Sequence, residues 1–137
     1  MNIKKKLAKI GSFFTFMGLI ATAQISYAQL SFNNQATTNQ NLSANVPANI
    51  AEQLKGSARF NGALIGFGMR CNVSDGDVKK VQQFYINNIN RINLSEADFN
   101  VIIAIFNNAK DNVRDNVSTQ ECRHIRVEFE KILQLIN

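Results

Sequence analysis

A short phrase recurs along the second half of this chain, and it fixes where helices begin. Asn72-Val73-Ser74 is followed by Asp77, Asn93-Leu94-Ser95 by Asp98, and Asn116-Val117-Ser118 by Glu121. A Ser three residues ahead of a carboxylate is the capping-box arrangement: the hydroxyl accepts from the N3 amide, and the acid reaches back to the N-cap amide. Asp is one methylene shorter than Glu, so the first two boxes are expected to be incomplete. An acid in the first turn still suits the positive end of the helix dipole. The residue before each Ser is apolar, as is the fourth residue after it. This pairs Val73 with Val78, Leu94 with Phe99 and Val117 with Cys122 as hydrophobic staples.

Three helices follow from these starts. The first of them runs from Asp75 to about Asn90, with Val78, Val81, Tyr85, Ile89 and Phe84 as its inward residues. The next begins at Glu96 and carries Phe99, Val101, Ile102, Ile103, Ile105 and Phe106. It is apolar nearly all round, which marks a central element. So β-branched a run would also suit a buried strand, and the box ahead of it selects helix. The last runs from Thr119 to near Asn137, where Cys122, Ile125, Phe129, Ile132 and Ile136 fall at spacings of three and four.

A further helix is expected ahead of these. Pro47 suits a first-turn position and Asn49 with Glu52 offers a box-like start; Ile50, Leu54, Ala58 and Ile65 keep a helical spacing. Gly56, Gly62, Gly66 and Gly68 each cost about 1 kcal/mol against Ala in a helix interior. Gly62 and Gly66 share a face and would admit a bulky neighbour such as Phe99 or Phe106. Alternatively, Gly66 or Gly68 ends the helix as a left-handed cap. The apolar stretch is too short for a membrane Gly-x3-Gly dimer. The expectation is an all-α, four-helix bundle-like domain over residues 47–137.

The N-terminal part reads differently. Lys4, Lys5, Lys6 and Lys9 precede an uncharged apolar run from Ile10 to Ala21, and Ser26-Tyr27-Ala28 places small residues at the −3 and −1 positions of a cut before Gln29. This is the pattern of a secretory signal peptide over residues 1–28, removed on export to the periplasm or beyond. The run is short for a membrane span. Residues 29–46 are uncharged and rich in Asn, Gln, Thr and Ser, a composition that reads as a flexible arm. The Asn-x-Ser phrases, with Asn41-Leu42-Ser43, also match the N-glycosylation acceptor pattern. Beside a lysine-rich, bacterial-looking leader we read them as capping syntax.

Export changes the charge. The whole chain has 15 Lys and Arg against 10 Asp and Glu, a net of +5. Four of those lysines sit in the leader, which leaves 11 against 10, or +1. The basic surplus that phosphate-backbone binding needs does not survive processing, so nucleic acid is not an expected partner. Two cysteines remain, Cys71 and Cys122, and an even count in an exported chain predicts a disulfide. Closing a loop of this length stabilises by roughly 4 kcal/mol through chain entropy. In an up-down-up-down bundle the end of the first helix and the start of the fourth share one end, which places both cysteines together.

No reaction centre stands out. His124 is two residues from Cys122 on one helix, and residues two apart do not face each other. One His and two distant Cys do not make a zinc site. Met69 and His124 share an end, but His124 falls off the inward stripe, and Cys122-Arg123-His124 lacks haem-attachment spacing. The loop at Asn72–Asp77 has oxygen ligands without calcium-loop spacing. Asp111 and Asp115 oppose the dipole near a helix end, with Arg114 three residues from Asp111 to compensate. No catalytic residue, metal or cofactor is therefore assigned, and an enzyme using Asp111 and Asp115 is the weakest class considered. Phe67, Met69 and Arg70 lie beside the expected disulfide, and aromatic, Met and Arg groups are enriched at interfaces. They form a candidate patch for a protein partner. The leading expectation is an exported, non-enzymatic interaction protein such as an inhibitor, immunity-type or accessory factor. The alternative is a carrier of an apolar small ligand held between helices.

Overall fold

A computed structural model describes residues 41–137; the expected leader and residues 29–40 of the expected arm lie outside the described residues. Four helices follow in order: α1 (Ala48–Arg70), α2 (Asp75–Arg91), α3 (Glu96–Asp111) and α4 (Thr119–Ile136). Among the described residues the fold is all-α, with four helices and one disulfide.

The three Ser caps form where expected. Ser74, Ser95 and Ser118 each accept a hydrogen bond from the backbone N–H three residues on. Only the Glu-containing box closes on both sides: the Glu121 carboxylate accepts from the Ser118 N–H at 2.8 Å. The shorter acids do not reach back in this way, and Asp98 turns to another partner. All six staple residues lie in the core or pack against it.

The Asn of the phrase has its own task. Asn72 and Asn93 have φ of 59° and 63°, and no other non-glycine residue among those described has a positive φ. Asn72 stops α1. Its N–H donates to the Met69 carbonyl at 3.4 Å, and the Val73 N–H donates to the Gly68 carbonyl at 3.0 Å. That pair of bonds is the Schellman closure, which needs a left-handed residue that Asn tolerates better than most. Each Asn-x-Ser phrase between α1, α2 and α3 is thus a stop and a start within three residues.

Helix α1 runs unbroken through all four glycines, so neither Gly66 nor Gly68 ends it. Its start also departs from expectation: Pro47 sits at the N-cap with no side-chain cap, and Glu52 pairs with Lys55 at 2.7 Å. The energetics explain why the helix persists. Four glycines cost about 4 kcal/mol together. Full burial of Leu54, Leu64, Ile65 and Phe67 returns roughly 6–12 kcal/mol.

The central element is α1, not α3. Every residue from Asn61 to Gly68 is buried, and α1 packs against each of the other three helices while α2 packs against α4. Counting apolar side chains along α3 pointed to the wrong helix, because glycines add nothing to such a count yet allow the closest approach. A Cβ at Gly62 would fall 2.2 Å from the Phe106 carbonyl oxygen, and one at Gly66 would fall 2.4 Å from that of Lys110. The glycines admit the backbone of α3 rather than an aromatic ring. Both contacts advance by four residues in the same direction, so α1 and α3 run parallel at near backbone contact. The ring that does fill a glycine notch is Phe129 of α4, against Gly68. Contacts 71–122 and 68–129 run in opposite senses, so α4 is antiparallel to α1. Tyr85 of α2 stacks on Phe106 with ring centroids 4.9 Å apart, tying α2 to the seam.

The segment before α1 is partly docked. Ser43 donates its N–H to Asp98 Oδ1 at 2.8 Å and its hydroxyl to Oδ2 at 2.6 Å. Leu42 and Val46 pack against the core. The final residues expected in the flexible arm therefore belong to the folded unit. Parallel α1 and α3 make this clasp feasible, because it places both helix starts at one end.

Candidate functional site

The other end of the bundle holds the residues that the sequence singled out. Cys71 is the C-cap of α1 and Cys122 lies in the first turn of α4. They form the expected disulfide, with Cα atoms 5.2 Å apart. The guanidinium of Arg126, one turn further along α4, donates to the Cys71 carbonyl at 2.9 Å. A carbonyl at a helix C-terminus lacks an intrahelical partner, and here a cation supplies one.

Arg114 organises the connection between α3 and α4. It donates to the Asn116 carbonyl and to the Glu121 carboxylate, and its guanidinium lies over the Phe67 ring, 5.8 Å from the centroid. The expected pairing of Arg114 with Asp111 is replaced by these contacts. The Ser118 N–H, seconded by Arg114, holds the Glu121 carboxyl below the usual carboxylate range. Arg70 reaches Asp115 at 3.1 Å and the Gly66 carbonyl at 3.4 Å. Asp115 is therefore an ion-pair partner, while Asp111 is exposed.

Of the three residues expected in a partner patch, the structure places only two at the surface. Phe67 is 1% exposed and belongs to the core. It lies within the stretch of α1 that is surrounded on every side, and the Arg114 cation closes over its outer face. Met69 is the reverse: 55% exposed, the largest such value among the exposed large hydrophobics of the described residues. Arg70 is half-buried and held by Asp115. His124 is exposed on α4, and Cys122 beside it has no thiol to activate because its sulfur is bonded to Cys71. Among the described residues no three His, Cys, Asp or Glu side chains gather as metal ligands would.

No family model, curated protein or solved structure matches this chain. What the arrangement can do is thus read from its own groups. Three arginines are committed to holding the disulfide end in shape, and one large apolar side chain is held out from it. Sequence reading missed Arg126 and the Ser43–Asp98 clasp, since neither partner is near the other in the chain. The spacing of Cys122 and Arg126, one turn apart, was the available signal for the first.

Proposed function

We propose that this chain is an exported, non-enzymatic interaction protein whose disulfide end, centred on Met69 with Arg70 beside it, meets a protein partner. The carrying observation is the contrast at that end. Arg70, Arg114 and Arg126 are engaged in ion pairs and carbonyl bonds, while Met69 stands exposed on a helix terminus fixed by a disulfide. A flexible thioether on a rigid mount suits protein contact. Export is supported by the leader pattern and by the disulfide, which persists in oxidising compartments. Among the described residues no helix is long and apolar enough to cross a membrane.

The carrier reading gains nothing from the α1–α3 seam, where backbone contact leaves no space for a ligand. The test is native mass spectrometry of the protein recovered from its host's exported fraction, alongside the Met69→Glu variant. The expected result is a complex with one protein that the variant loses. A bare monomer from both, or a complex indifferent to Met69, contradicts the proposal.

A further inference from the structure

The two sulfurs of the staple are not equivalent. Cys122 is the fourth residue of the 18-residue α4, near its amide end, whereas Cys71 closes the carbonyl end of the 23-residue α1. A helix N-terminus and nearby cations favour thiolate, and a helix C-terminus disfavours it. Both cysteines have cations beside them: Arg70 precedes Cys71, Arg123 follows Cys122, and Arg126, one turn on from Cys122, donates to the Cys71 carbonyl. The difference therefore comes from the helix ends. Access runs the same way: Cys122 is 9% exposed and Cys71 is 1% exposed.

We infer that Cys122 is the thiol that first reacts with an external disulfide when the staple forms, and that Cys71 resolves the intermediate. The inference is independent of the partner reading. In the first step the Cys122 thiolate attacks one sulfur of a small-molecule or protein disulfide. The S–S bond of the oxidant breaks, and its other half leaves as a thiolate. Cys71 then loses its proton to water and attacks Cys122 Sγ, expelling the second half of the oxidant. Two electrons pass from the cysteines to the oxidant, and two protons are released or taken up by its thiolates. In reverse, an incoming thiolate reaches Cys122 and must expel the Cys71 thiolate at the carbonyl end of α1. A poor leaving group there makes the staple slow to open.

The test uses the full exported chain reduced under native conditions, then given limiting oxidised glutathione, quenched with acid and peptide-mapped. Cys71→Ser and Cys122→Ser variants isolate each thiol. The expected result is that Cys122 takes up glutathione at least about tenfold faster than Cys71, and that concentrated urea removes the preference. Equal rates in water, or a faster Cys71, overturn the inference. Competitive alkylation of the reduced wild type ranks both thiols in one molecule, so misfolding of a single variant does not obscure the answer. Loss of helical circular dichroism on reduction also overturns it, because the asymmetry requires formed helices.

Discussion

A methyl group added at Gly62 would have to displace the Phe106 carbonyl, which belongs to the backbone of a neighbouring helix; at Gly56 it would meet nothing within 4 Å. The same Gly→Ala change therefore has opposite signs six residues apart. Gly62→Ala is expected to destabilise by about 1–3 kcal/mol or more through overpacking. Gly56→Ala is expected to stabilise by about 0.5–1 kcal/mol, by helix propensity alone. Urea unfolding midpoints of the two variants check both. The sequence showed that Gly62 and Gly66 share a face, but it could not show which neighbour that face receives. Asp98 adds a second residue-scale prediction. The Ser43 hydroxyl first, and the Ser43 N–H next, hold its carboxyl below the usual range. A depressed folded-state pKa stabilises in full above the ordinary carboxylate range, and the gain is lost as pH falls through the folded value. Wild-type stability should therefore drop below about pH 4. Ser43→Ala should show a shallower acid slope in the same titration. Glu121 adds to the wild-type slope with the same sign.

At the scale of elements, the helix starts were legible because caps are local. A Ser and an acid three residues apart act on the same turn, so spacing in sequence is spacing in space. Helix stops were less so. The glycines of α1 drew attention as stop signals, yet the stop is Asn72, whose left-handed backbone completes the Schellman bonds. Asn72→Gly is expected to preserve or raise stability, since Gly adopts this conformation without strain. Asn72→Ala is expected to cost about 1 kcal/mol. Thermal unfolding of the pair measures the difference. The choice of central helix failed at this scale for a related reason. Hydrophobic counting rewards large side chains, whereas the tightest contact, α1 against α3, is made by their absence.

For the whole molecule, the two ends are closed by different means. Ser43 and Asp98 clasp the starts of α1 and α3, while Cys71 and Cys122 join the end of α1 to the start of α4 across 51 residues of chain. The disulfide was readable because helix count, short connections and cysteine positions converge on one topology. The exposure of the residues proposed for a partner patch was only partly readable. Three consecutive-looking candidates on α1 point in different directions once the helix is surrounded, so Phe67 enters the core and Met69 stays out. The structure shows a scaffold closed by one disulfide, and we propose that it is exported. Intact mass and peptide mapping of the protein from its host's exported and cellular fractions test both parts. The expected result is an exported chain beginning at Gln29, two hydrogens lighter than its reduced mass, with Cys71 linked to Cys122. A chain retained inside the cell with residues 1–28 attached and both thiols free would contradict it.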